Sequence, residues 1–170
     1  MPPVEWRRME IDMDPILLNN KLQIAGLDDF RRMTDEELAG LRRGIGNGES
    51  VSVIAPELHM IISAGWKKEG GIFSRLVTGN DLVANMESCY RKSFKPFGFT
   101  FEQYIDTDVA GVTAHGLRYS YEAKEIGMTA ESSVLKKDGI LYYLHVYYRT
   151  SVQEESRENW RRILDAAKWL

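Results

Sequence analysis

The dipeptide Asp138-Gly139 constrains the fold of this chain more than any other feature, because it joins two long segments rich in β-branched and aromatic residues. Asp-Gly favours a two-residue type I′ turn, whose twist matches that of two adjacent antiparallel strands. Such a turn also fixes the register, since facing residues must have numbers that sum to 277. Ser132 then lies opposite His145, and the sequence predicts a long antiparallel hairpin.

Both faces of this predicted hairpin carry apolar side chains. One face collects Met128, Ala130, Val134, Tyr143 and Tyr147, and the other collects Leu135, Tyr142, Leu144, Val146 and Tyr148. A sheet that is open to water on one side shows a cleaner alternation of apolar and polar residues. We therefore predict an α+β protein, an α/β/α sandwich whose central, mainly antiparallel sheet of six to seven strands is covered on both sides.

Three helices are predicted to flank the sheet, at about residues 34–43, 81–95 and 152–168. In the first, Thr34 and Glu37 have the spacing of a capping box. Asn80 is the predicted cap of the second, which recurring apolar residues carry as far as Pro96. For the third helix, Ser151 and Glu154 form the predicted capping box.

The remaining strands are predicted from alternating patterns. Leu22 and Ile24 form a first short strand, and residues 51–54 and 58–66 form a hairpin that turns at residues 55–57. A strand over residues 99–105 is predicted to end in a turn at residues 106–108. Beyond it, the parity of the apolar residues changes at Gly116, which predicts a β-bulge there.

The length of 170 residues suits one domain with one core. Prolines and an Asn-Asn pair in residues 1–20 indicate an N-terminal arm, so we predict an arm over 1–20 and a single domain over 21–170. The net charge of −3 gives no general attraction to nucleic acid or to anionic membranes, and neither is an expected partner. With Cys89 as the only cysteine and no visible signal peptide, we expect a cytoplasmic protein.

The order of elements resembles that of the PsbP-like fold family, which includes the photosystem II extrinsic subunit P and a nuclear-import protein that binds the Ran GTPase. The resemblance covers residues 22–168 and is carried by the aromatic-then-capped-helix segment 29–38, by the Asp138-Gly139 hairpin and by residues 160–164. It implies the same α/β/α architecture and a non-catalytic role in binding or assembly. Partners differ among family members, so the resemblance assigns no partner-contacting residue.

Candidate chemistry is sparse in this sequence. Ser132 opposite His145 could in principle form a nucleophile and base, although two mid-strand residues under a helix more commonly share a buried hydrogen bond. The histidines at positions 59, 115 and 145 could converge on a metal with Glu122 or Glu131, but none has chelating local spacing. No metal or cofactor is therefore expected.

Residues 70–79 place four large apolar residues between glycines. These residues are Ile72, Phe73, Leu76 and Val77. A short edge strand is the commoner explanation, but in a loop they would form an exposed apolar patch that binds a partner. The leading hypothesis is a non-catalytic module that binds another protein or its own copy. The alternative is a small-molecule binder or hydrolase with a cleft between the sheet and the second helix, near Ser132 and His145.

Overall fold

The computed structural model describes residues 15–24, 30–41, 49–70 and 77–170. The helices are α1 (Asp35–Leu41), α2 (Gly79–Ser93) and α3 (Gln153–Asp165), and three short 3₁₀ turns span Pro56–Leu58, Lys95–Phe97 and Thr150–Val152. The strands are β1 (Ile16–Leu18), β2 (Leu22–Ile24), β3 (Arg31–Arg32), β4 (Glu49–Ala55), β5 (Met60–Lys68), β6 (Thr100–Val109), β7 (Val112–Ala123), β8 (Ile126–Lys137), β9 (Ile140–Arg149) and β10 (Lys168–Trp169).

Seven of the ten described strands form an antiparallel sheet in the order β3-β4-β5-β9-β8-β7-β6. Its centre is the predicted hairpin, in which Ser132 pairs with His145. Asp138 and Gly139 both have positive φ, 51° and 76°, as a type I′ turn requires. The predicted fold class and the register of this hairpin are confirmed.

Both faces of the sheet are covered, as the apolar residues on the two faces of the β8–β9 hairpin predict. Helix α2 covers one face, where it buries Val83 and Met86 against Leu117 and Val134. Helix α3 covers the other face and contributes Trp160 to the larger of the two cores. A three-stranded sheet, β1-β2-β10, completes that second layer.

The three-stranded sheet changes the description of both chain ends. Ile16 and Leu18 of β1 are buried in the core, so the predicted boundary at residue 20 falls inside the β1–β2 hairpin. At the other end, the third helix was predicted to reach residue 168 but ends at Asp165, and Lys168–Trp169 pairs with β2. The indole of Trp169 donates to the carbonyl of Ala110 at 3.1 Å, which holds the end of the chain against the sheet.

The first helix is capped as predicted, and the other two are not. The amide of Glu37 donates to the hydroxyl of Thr34, and the Glu37 carboxylate accepts from the Thr34 amide. Helix α2 begins with a capping box formed by Thr78 and Asp81. Its N-cap is therefore Thr78, two residues before the predicted cap at Asn80. The predicted Ser151 box is absent from α3, because the 3₁₀ turn Thr150–Val152 precedes the helix and Val152 occupies the cap position.

Two predictions for β6 and β7 are wrong. Residues 106–108 do not form a turn, because β6 continues to Val109, which is buried in the larger core, and turns at Ala110-Gly111. Gly116 does not form a bulge, since the β7 register runs through it, and the irregularity lies at Phe101/Gln103 in β6. The apolar residues change parity because the two halves of β7 bury opposite faces of the sheet. The first half buries Ala114 in the larger core, and the second half buries Leu117 under α2.

Candidate functional site

A cleft of about 450 Å³ lies between the first turns of α2 and strands β6 and β7. Its lining residues are Asn80, Val83, Ala84, Tyr104, Ile105, Asp106, His115 and Gly116. The volume falls within the range of about 300–1,000 Å³ that is usual for ligand sites. The alternative hypothesis placed a cleft between the sheet and this helix, but neither Ser132 nor His145 lines it.

One wall of the cleft carries a histidine–carboxylate pair. Asp106 and His115 are directly opposite each other on β6 and β7, and Nδ1 of His115 lies 2.7 Å from Oδ1 of Asp106. The imidazole also packs on the first turn of α2, where a Cβ added to Gly79 would lie 2.3 Å from the His115 ring. The ring is thus held between β6 and the start of α2, while the Asp106 side chain remains 68% exposed.

Beside the Asp106–His115 pair, which joins β6 to β7, another polar contact joins β6 to α2. The hydroxyl of Tyr104 donates to Oε2 of Glu87 at 2.5 Å, and Oε1 of Glu87 accepts from Arg91 at 2.8 Å. These two donors, with the Tyr104 hydroxyl the larger cause, lower the pKa of Glu87, so the carboxylate is ionised at neutral pH. Tyr104 itself is 60% exposed, and its ring lies at the edge of the cleft.

Strand β6 is an edge strand among the described residues, where it pairs with β7 alone. The turn residues Ala110 and Gly111 have φ values of 50° and 84°, as in a type I′ hairpin. In such a hairpin the residues that flank the turn, Val109 and Val112, form a hydrogen-bonded pair, and bonded and non-bonded pairs then alternate along the strands. From Gln103 to Val109, where the register is regular, every second residue therefore directs its N–H and C=O away from β7.

We name these residues the outer positions of β6. They are Tyr104, Asp106 and Asp108. The side chains of the first two lie on the α2 side of the sheet, since Tyr104 pairs with Leu117 and Asp106 with His115. Main-chain groups that no described strand pairs with therefore lie along the same stretch of chain as the cleft.

The predicted Ser132–His145 pair forms in the core rather than in the cleft. Oγ of Ser132 lies 2.8 Å from Nδ1 of His145, and the Tyr90 hydroxyl of α2 lies 3.4 Å from the same nitrogen. Ser132 is 0% and His145 4% exposed, so the described structure gives this hydroxyl no access to solvent. Burial lowers the pKa of His145 to about 4, which keeps the ring neutral at pH 7.

The pair belongs to a polar row that crosses four adjacent strands on the α2 side of the sheet. Ser52 on β4, Ser63 on β5, His145 on β9 and Ser132 on β8 follow one another in register. All four are buried, and the hydroxyls of Ser52 and Ser63 lie 3.0 Å apart. The spacing and burial are those of hydrogen bonds that satisfy polar groups within a core.

The three histidines do not converge. Within the described ranges, no group of three or more histidine, cysteine, aspartate or glutamate side chains is arranged to hold a metal ion. His59 is exposed at a turn with φ of 51°, His115 lines the cleft and His145 is in the core. Of the predicted partner-binding residues, Ile72, Phe73 and Leu76 lie outside the described residues, and Val77 is 36% exposed.

The sequence predictions missed the Asp106–His115 pair for an identifiable reason. A turn predicted at residues 106–108 separated the two side chains that the structure places opposite each other. Had the turn been placed at Ala110-Gly111, facing residues would have numbers that sum to 221, which pairs Asp106 with His115. The sequence signal for a turn at Ala110-Gly111 was weak, because alanine seldom adopts the positive φ that this turn needs.

None of the described helices combines the length and the apolar character needed to cross a membrane.

The fold itself is recognisable: a seven-stranded antiparallel sheet with α2 on one face, and α3 and a small sheet on the other.

Solved structures with this arrangement identify it as a PsbP-like fold. Cyanobacterial PsbP from Synechocystis sp. PCC 6803 matches with a TM-score of 0.63 at 11% identity, over 89% of this chain and 88% of its own. LpqN of Mycobacterium tuberculosis, described as involved in cell envelope biogenesis, matches with a TM-score of 0.56 at 14% identity, over 87% and 82%.

A third similar structure is PA94 of Pseudomonas aeruginosa, a protein of unknown function described as a putative regulator. It matches with a TM-score of 0.54 at 10% identity, over 72% of this chain and 83% of its own. No protein-family model and no curated protein matches the chain. At these identities the likeness establishes the fold alone.

Proposed function

We propose that this protein is a non-catalytic interaction module that binds a segment of another protein in extended conformation along β6. The observation that carries the proposal is the ten-residue edge strand β6, whose outer positions direct main-chain groups away from the described sheet. Addition of a strand to such an edge is a common mode of peptide recognition, in which main-chain hydrogen bonds supply affinity.

The side chains along β6 support a partner other than a second copy of this chain. Glu102, Asp106 and Asp108 are its charged residues, and the strand contains no lysine or arginine. Pairing of β6 with its own copy would bring these carboxylates close together, and facing like charges are destabilising. A different partner can offer a complementary strand.

The cleft supports the same location. It opens beside Tyr104 and Asp106, so a strand paired with β6 would pass along its mouth and could place a side chain inside. Pockets that receive alternate side chains are what give strand addition its specificity. Main-chain pairing and side-chain recognition would then occur at the same place.

A proline at an outer position tests this mode of binding. Asp108→Pro removes an outward N–H and places the proline ring against the incoming strand. Because position 108 does not donate its N–H to β7, the same substitution leaves the β6–β7 ladder intact. As probe we would use a capped, fluorescently labelled nonapeptide that alternates threonine and valine around a central arginine. We expect Asp108→Pro to weaken its binding about tenfold or more in a fluorescence anisotropy titration.

The matched control is Asp108→Ala, which loses the same carboxylate and its hydrogen bond to the Gly111 amide but keeps the outward N–H. It should bind the probe within about threefold of the unmodified protein, a difference smaller than one hydrogen bond. Equal binding by the proline and alanine variants would contradict strand addition. Strand addition by a different partner would also be contradicted if the unmodified protein did not bind the probe, or if sedimentation showed a dimer formed through β6.

A further inference from the structure

We infer that the cleft beside β6 selects a cationic side chain, arginine above all, from the extended segment that pairs with the strand. This inference rests on the proposed function and adds the chemistry of the partner to it. Three features of the cleft point to arginine: an exposed carboxylate with a free oxygen, an exposed aromatic ring, and carboxylates that outnumber the cations around it.

The carboxylate is that of Asp106. Its Oδ1 is occupied by His115, and its Oδ2 has no hydrogen-bond partner among the described residues. Because Asp106 is an outer position, a strand paired with β6 would run directly past this side chain. The His115 contact fixes the carboxylate at the cleft, so an incoming donor meets an acceptor that is already oriented.

The aromatic ring is that of Tyr104, which is more than half exposed at the mouth of the cleft. Its hydroxyl is held by Glu87 on α2, and its ring packs against that of Phe101 at a centroid distance of 4.8 Å. The part of the ring that Phe101 does not cover is open to an incoming side chain. A guanidinium group is planar, donates to a carboxylate through several N–H groups, and stacks on aromatic rings. Ammonium groups lack the planar stacking, so arginine fits this combination better than lysine.

The charges around the cleft favour a cation. Asp81 caps the first turn of α2 by accepting from the amide and hydroxyl of Thr78, and these bonds lower its pKa. The carboxylate therefore opposes the positive end of the helix dipole that would otherwise repel a cation. Arg91, a cation in the last turn of α2, is already paired with Glu87 and lies over the ring of Phe99.

The test compares two nonapeptides that differ at one group: the threonine–valine peptide with a central arginine, and the same peptide with citrulline, a neutral residue of similar shape in which a carbonyl oxygen replaces one guanidinium nitrogen. We expect the arginine peptide to bind about fivefold more tightly at low salt, the upper end of what an exposed ion pair contributes. Asp106→Asn should reduce that advantage below about twofold, and Glu57→Gln, which removes an exposed carboxylate in the turn between β4 and β5, should preserve it.

The outcomes separate this inference from the proposed function. If both peptides bind equally well to the unmodified protein and Asp108→Pro weakens both, strand addition stands and selection of a cation is refuted. If the arginine advantage survives in Asp106→Asn, the cation is recognised elsewhere and the assignment to the cleft is wrong. If neither peptide binds, both proposals fail together.

Discussion

Replacement of Gly116 by alanine is expected to destabilise the protein by about 3 kcal/mol, the upper part of the range for overpacking a dense interior. A Cβ at this position would lie 2.3 Å from the carbonyl oxygen of Ser132 and 2.4 Å from the Oγ of Ser133. The carbonyl belongs to the neighbouring strand β8, so relief of the overlap requires the β7–β8 ladder to move. Urea denaturation followed by circular dichroism measures the effect.

Gly127→Ala provides the matched control in the same sheet. A Cβ there would meet only Thr150, at an ordinary contact distance of 3.6 Å. Since alanine also restricts the unfolded chain, this variant should be unchanged or more stable by up to about 1 kcal/mol. If Gly116→Ala were as stable as Gly127→Ala, the close approach of β7 to β8 would be disproved.

The second large effect is a loss of stability in mild acid caused by His145. The folded pKa of about 4 lies below the ordinary value of 6.5, because burial disfavours the charged ring. Between these values the unfolded chain binds a proton that the folded chain does not, so stability falls as the pH is lowered. We expect the free energy of unfolding to fall by about 2 kcal/mol from pH 7 to pH 5.

Paired variants isolate the histidine. His145→Asn should be less stable at pH 7 but should lose the slope between pH 7 and pH 5. His59→Asn changes an exposed residue in the left-handed region, where asparagine is well tolerated, and should retain the slope. Glu37, Asp81 and Glu87 have lowered pKa values, so their protonation weakens the fold only at lower pH. An unchanged slope in His145→Asn would refute this account.

Local signals explain what the sequence predicted well. Asp138-Gly139 gave the register of the central hairpin, and the spacing of Thr34 and Glu37 gave the first helix cap. Where two polar residues lie close together, as Thr78 and Asn80 do, composition does not decide which one caps the helix. The side-chain contact with Asp81 decides it in favour of Thr78.

Non-local pairing explains what the sequence did not predict. The small sheet joins β1 and β2 to β10, residues separated by nearly the whole chain, and no short-range pattern marks such a contact. The cleft was missed because a single misplaced turn shifted Asp106 away from His115. A candidate site between two strands therefore depends on the least certain part of a sequence prediction, the position of the turn.

Amide hydrogen exchange along β6 tests most directly whether its outer positions pair with an extended partner segment. In the free protein the amides of residues 105, 107 and 109 should be protected by β7, whereas those of the outer positions Tyr104, Asp106 and Asp108 should exchange rapidly. Saturation with the arginine nonapeptide should slow exchange at the outer positions about tenfold or more. Protection of all six amides in the free protein, or outer amides that saturating peptide leaves unchanged, would contradict this pairing.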